Sequence, residues 1–293
     1  MENYNELFGT QESLPEKQQE SKSSYDKDKW IKETKEKRDQ LYKTANETVE
    51  KVFSDPGQFK AYLDLESRLS KTSAFNLLLV LAQKPEAVRV KDFDEWGRKG
   101  RNVISGEKGF FIMVPGKQYT KRDGSSHMNF KAKTVFDESQ TSGKEMPSPR
   151  PAAIKAVIRA MTTEMPVKLK ISEEIGEKDV AAFIPEDNTI YVRPDIPQEE
   201  ALRCISRELA IANMMKRKGY EASQDFAAAC ASYVCCKHCG IDAELPDVPE
   251  EYRTLDNKAK RGVLGDIREA ASETIDRIEH NLYAERHRNE EAR

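Results

Sequence analysis

Apolar residues along this chain recur mostly at helical spacing, with one central stretch that alternates. Residues 1–24 are rich in Gln, Glu, Lys and Ser and hold few apolar side chains. They bury too little to offset the entropy of ordering, so a disordered tail is expected. From Lys27 to Phe53, the positions Trp30, Ile31, Leu41, Ala45, Val49 and Val52 form a narrow stripe that predicts a charged helix. Asp55-Pro56-Gly57 breaks it. A second helix is predicted from Gly57 to Ser70, with Phe59, Tyr62, Leu63, Leu65 and Leu69 inward, and a third from Ser73. The third must stop before Pro85, because the residue ahead of proline disfavours helix. Phe93 to Gly100 reads as a short helix and Gly109 to Pro115 as a buried strand. Lys117–Lys121 and Met128–Phe136 flank Asp123-Gly124 as a hairpin.

Beyond a Ser/Thr/Gly/Pro-rich stretch the pattern resumes. A helix is predicted at Ala152–Met165 and short strands at Val167–Ile171, Val180–Ile184 and Thr189–Val192. Longer helices follow at Pro197–Lys218, Ala222–Cys239 and Asn257–Arg288. This order predicts an α+β chain of two domains. A helical-plus-hairpin unit over 25–141 follows the tail of 1–24, and a linker of 142–151 leads to a second unit over 152–293.

With 293 residues the chain is long enough for two modest domains. Charged residues make up 34% and the net charge is −3, so the whole protein is no polycation, although a local basic surface is allowed. No targeting segment is visible, and the longest apolar run, Phe75 to Ala82, is too short to span a bilayer. Of five cysteines, four lie between Cys230 and Cys239, which is unlike a secreted disulfide framework. A cytoplasmic protein without membrane contact is expected.

Charge concentrates between Lys84 and Lys133, where twelve Lys/Arg face six Asp/Glu. Trp96, Phe110, Phe111, Tyr119 and Phe130 are interleaved with them. Unspecific single-strand binding needs this pairing: cations follow phosphates, and flat rings stack on bases at roughly 1–3 kcal/mol each. The candidates are Arg98, Lys99, Arg101, Lys108, Lys131 and Lys133 for phosphate, Trp96 and Phe111 for stacking, and Ser73, Asn76 and Gln83 for polar contacts. The plainer readings stay open: Trp96 as core, the charges as a solvated face, and Gly100, Gly106 and Gly109 as turn residues.

The same stretch carries Ser73-x-x-Asn76, Gln83-Lys84-Pro85, Trp96 ahead of Gly100, Gly106-Glu107-Lys108-Gly109, and Val135-Phe136-Asp137 with Gln140-Thr141. In order and spacing it resembles the ArdC-type antirestriction, single-stranded-DNA-binding domain of mobile elements, over about residues 25–141. Thr72 departs from that pattern, which implies an aromatic residue there. The resemblance implies a protein of a conjugative or other mobile element that protects incoming single strands.

Ile205 to Asn213 reads I-S-R-E-L-A-I-A-N. It resembles the H-E-L-A-H-A helix of zincin-like metallopeptidases, a domain that often follows ArdC-type domains. In such a helix two histidines four apart hold zinc and the glutamate is the base. Here Arg207 and Ile211 stand at the histidine positions, and about Ala229 stands where the third ligand is implied. Only Glu208 remains. A guanidinium has no lone pair to give, and Ile211 offers hydrocarbon. Cys235, Cys236, His238 and Cys239 lie on one predicted helix and point around it, so the cysteines read as small apolar core residues rather than part of a zinc site. The expectation is a chain without catalysis, metal or cofactor. It would bind single-stranded DNA, with a host restriction or conjugation protein as a further partner. The alternative is a pseudoenzyme that acts only as a protein-interaction module, and Arg207 could there replace the missing metal charge.

Overall fold

The computed structural model describes residues 20–120, 123–147, 152–176, 180–219 and 224–291. The expected tail lies outside them except for residues 20–24, which are helical and open α1 (Glu20–Ser54). Its stripe is buried only from Leu41 onward, where Leu41, Ala45, Val49 and Val52 enter the core. Asp55 caps α2 (Pro56–Arg68), its carboxylate accepting from the Gly57 and Gln58 N–H groups. Ser73 caps α3 (Ala74–Gln83) in the same way, accepting from the Asn76 N–H.

The central sheet is ordered β1 (Val90–Lys91), β4 (Ser126–Asp137), β3 (Phe110–Thr120), all antiparallel. The predicted strand and hairpin arm are thus one long strand, β3, with a register shift between Pro115 and Gln118. Helix α4 (Phe93–Arg98) carries an Asp92–Glu95 capping box. A second small sheet pairs β2 (Arg101–Val103) with β5 (Thr141–Gly143). Residues 142–143 of the expected linker are therefore strand, and 148–151 lie outside the described residues. Gly143 meets a real constraint: φ is +128°, and a Cβ there would lie 2.5 Å from the Gly100 carbonyl oxygen.

Helix α5 (Ile154–Thr162) precedes a sheet ordered β6 (Lys168–Ile171), β8 (Thr189–Val192), β7 (Ala181–Ile184). There β6 runs parallel and β7 antiparallel to β8. Helices α6 (Gln198–Lys218), α7 (Gln224–His238), the short α8 (Glu250–Arg253) and α9 (Asn257–Glu291) complete the fold. No described helix is long and apolar enough to cross a membrane.

The two halves of the sequence do not keep separate cores. One apolar cluster joins Val49, Phe59, Leu77 and Val135 to Ile211, Phe226, Val234 and Ile275. A smaller one lies between α5, α6 and the β8 side of the last sheet, around Met161, Ile190 and Leu202. Helix α9 packs on α1 and α3 as well as on α5, α6 and α7. Polar contacts follow the same seam. Tyr233 donates to Asp64 at 2.7 Å, Lys260 reaches Glu50 at 2.6 Å, and His238 Nδ1 lies 2.8 Å from the Ser67 carbonyl oxygen. Glu66 of α2 sits inside this seam, 1% exposed, with neither carboxylate oxygen hydrogen-bonded.

Candidate nucleic-acid interface

Several residues picked out by composition hold the fold instead of facing solvent. Asn76 Nδ2 donates to the Met113 carbonyl and its Oδ1 accepts from the Met113 N–H, both at 2.9 Å. Gln83 repeats the motif on Phe111, at 2.9 and 3.0 Å. The two amides, two turns apart on α3, satisfy the outer edge of β3, with which no strand pairs among the described residues. Trp96 is completely buried and its indole N–H donates to the Phe136 carbonyl at 3.0 Å, so it cannot stack on a base. Arg101 spends its guanidinium on the Thr141 hydroxyl and on the Thr141 and Lys144 carbonyls, fastening β2 to β5. Lys133 is paired with Asp92. That ion pair and the capping N–H of Glu95 outweigh desolvation and hold the Asp92 carboxyl below its usual range. Ser73 is a helix cap. Phe111 is half-buried, with the Lys37 ammonium 3.4 Å from its ring centroid.

The glycines are explained by backbone and packing. Gly100 and Gly106 have φ of +74° and +89°, and a Cβ on Gly109 would meet Thr134 at 2.5 Å. Arg98, Lys99, Lys108 and Lys131 remain exposed. The side chains of Lys117 and Tyr119, and the residues Lys121 and Arg122, lie outside what is described.

The combination of cations and free rings is met elsewhere, between the first part of α1 and the hairpin. The core stripe of α1 begins only at Leu41, so the preceding turns project beyond the packed helices, and Trp30 and Ile31 are 65% and 48% exposed. They face β3 and β4 near the register shift across a groove of about 930 Å³. Trp30 stands on the helix wall and Phe130, 41% exposed, on the strand wall. Lys35, Lys37, Arg38 and Lys131 line the groove and no described carboxylate does, although Arg38 Nε lies 3.7 Å from Asp39 Oδ1 beside it. Only Lys131 among the sequence-derived candidates is part of it. Trp30 was missed because its spacing continues the core stripe. The signal available in sequence was a tryptophan amid six Lys/Arg between Lys27 and Arg38.

The segment read as a degraded zinc-peptidase helix is α6. Glu208 is buried. One carboxylate oxygen accepts from the Phe183 N–H of β7 at 2.9 Å, and the other from Arg207 at 2.6 Å. Burial pushes the Glu208 carboxyl up, against the pull of the Phe183 N–H and Arg207. Arg207 also reaches Asp225 of α7 at 3.2 Å. Asp225 lies one turn before Ala229 and was not singled out by sequence. The donor set does not fit a divalent ion: the carboxylate is already engaged, a guanidinium occupies its other side, and Ile211 is buried hydrocarbon. Burial also pushes the Cys236 and Cys239 thiols up, to about 11 and about 12, as for cysteines that serve as packing.

No protein-family model matches the chain. An uncharacterised Bacillus anthracis protein, pXO2-81, is 24% identical over 92% of this chain. The chain spans 57% of that relative's length. Two crystal structures of the antirestriction ArdC protein of plasmid R388 are similar at TM-score 0.47 and 16% identity. The metal-free form covers 73% of this chain and 86% of its own, and the Mn(II)-bound form 75% and 97%.

Proposed function

We propose that this chain binds single-stranded DNA, in the groove between α1 and the β3–β4 hairpin, as a protective, antirestriction-like protein of a mobile element. The observation that carries the reading is a groove lined by two exposed rings, Trp30 on α1 and Phe130 on β4, together with four cations. Bases would stack on the two rings while Lys35, Lys37, Arg38 and Lys131 follow the phosphates. Such contacts are blind to base identity, which suits a protein that must cover any incoming strand. The mobile-element role rests on the sequence resemblance over residues 25–141. In the same reading the second half performs no metal chemistry. The Arg207 guanidinium stands against the carboxylates of Glu208 and Asp225 and supplies positive charge there.

The chain contains two tryptophans, one exposed and one buried, which gives a direct assay. In a Trp96→Phe background, oligo-dT should quench Trp30 fluorescence, and duplex of equal length should quench it less. Four phosphate contacts predict a salt slope of about −3 in log K against log salt. Trp30→Ala should weaken anisotropy-measured binding about 5- to 150-fold, from a stacking energy of roughly 1–3 kcal/mol. Arg98→Glu with Lys99→Glu, outside the groove, should weaken it far less. Unaltered affinity in Trp30→Ala with Phe130→Ala would remove this groove from consideration.

A further inference from the structure

Among the described residues the sheet of the second half has two edge strands, β7, where Glu208 takes the Phe183 N–H, and β6. Helix α6 covers β7 and β8, while every residue of β6, at the opposite edge, is exposed. The parallel register pairs Leu169 with Ile190 and Ile171 with Val192. Paired residues share a face, so Leu169 and Ile171 continue the apolar face whose β8 members are buried. They extend it past its cover, at 38% and 76% exposure. The backbone is available as well. Lys168 donates its N–H to the Asn188 carbonyl just ahead of β8 and Ser172 donates to Val192 in it, so by alternation the N–H and C=O of Leu169 and Ile171 point away from the sheet. Among the described residues no strand pairs with that edge. The other face of β6 carries Lys168 and Lys170, both exposed, with Lys170 Nζ 5.7 Å from the Tyr191 ring centroid and the single Asp187 carboxylate near the two of them.

The geometry points to β6 as a docking edge for an extended segment of a partner protein that alternates acidic and apolar residues. The added strand would take the free N–H and C=O groups of Leu169 and Ile171. Its apolar side chains would cover theirs, and its carboxylates would meet Lys168 and Lys170 across the strands. Charge selects this occupant over a second copy of the chain. Antiparallel self-pairing centred on Lys170 or on Leu169 sets lysine against lysine, the device by which sheet edges resist self-association; the register centred on Ile171, which sets Lys168 against Glu174, runs past the end of the strand. The surface is separate from the nucleic-acid groove and does not depend on it.

The test uses the full chain and two six-residue peptides, one alternating glutamate and valine, the other lysine and valine. In amide NMR titrations the Glu-Val peptide should shift the Leu169 and Ile171 resonances and slow exchange of those amides, with about tenfold preference over Lys-Val. Ile171→Asp should abolish this. The double variant Lys168→Glu with Lys170→Glu should reverse the preference, a result that simple loss of folding cannot produce. The inference is overturned if neither peptide shifts these amides at millimolar concentration, or if charge reversal leaves the preference unchanged. Oligo-dT binding should be the same in all these variants.

Discussion

Glu66 should make the stability of this protein fall as pH rises through neutrality. It is enclosed by α2, α7 and α9, with Tyr62, Arg268, Cys230 and Cys235 as the polar or titratable neighbours. Burial raises its pKa from 4.5 to about 8, against the Arg268 charge, which favours the anion. The folded state therefore holds a neutral acid where the unfolded chain holds a carboxylate. Stability from this group is fully present below pH 4.5 and is lost progressively up to about pH 8. The difference in pKa corresponds to about 5 kcal/mol across the whole window and about 3 kcal/mol at pH 7. Glu66→Gln keeps the shape of the neutral acid and cannot ionise. Wild type and variant should be unfolded with urea at half-unit steps from pH 5 to 8.5. Other titrating groups, His238 among them, contribute equally to both proteins and cancel in the difference. The variant should gain on the wild type steadily with pH, and be the more stable protein above pH 7. A difference that does not change between pH 5 and 8.5 would refute a buried neutral glutamate.

Two further outcomes test the assignments of the polar residues. Asn76→Ala should lower stability by about 2–4 kcal/mol, because it leaves the Met113 N–H and C=O without partners at the β3 edge. Its oligo-dT affinity, measured on the folded fraction, should be unchanged, whereas an Asn76 that read bases would show the opposite pattern. The triple variant Arg207→His, Ile211→His, Ala229→Glu should bind zinc stoichiometrically by metal analysis, since it restores three donors around a helix that already presents Glu208. A folded triple variant without zinc would mean that α6 and α7 do not keep a zincin-like spacing.

Although their order in the sheet was not read, the three strands of the second half were legible as short apolar runs between turn residues, and the longer helices and the hairpin by their periodicity. The short strands β1, β2 and β5 and the helix α8 were not, since two to four residues carry no period. The shared core escaped for a related reason: an apolar stripe says that a face is buried but not against what, and α9 buries its stripe against both halves. Several candidate residues serve the fold because the same side chains have a double use. An amide that reads a base edge and one that caps a strand edge are chemically the same group, so Asn76 and Gln83 look alike in either role. An indole that stacks and one that packs differ only in exposure, and here Trp96 is sealed while Trp30 stands free. Counting cations in a window along the chain likewise merges charges that point to phosphate with charges already neutralised, as Lys133 is by Asp92. What separates these cases is the partner across space. The groove became visible only when a helix from residues 20–54 was laid beside a hairpin some eighty residues later.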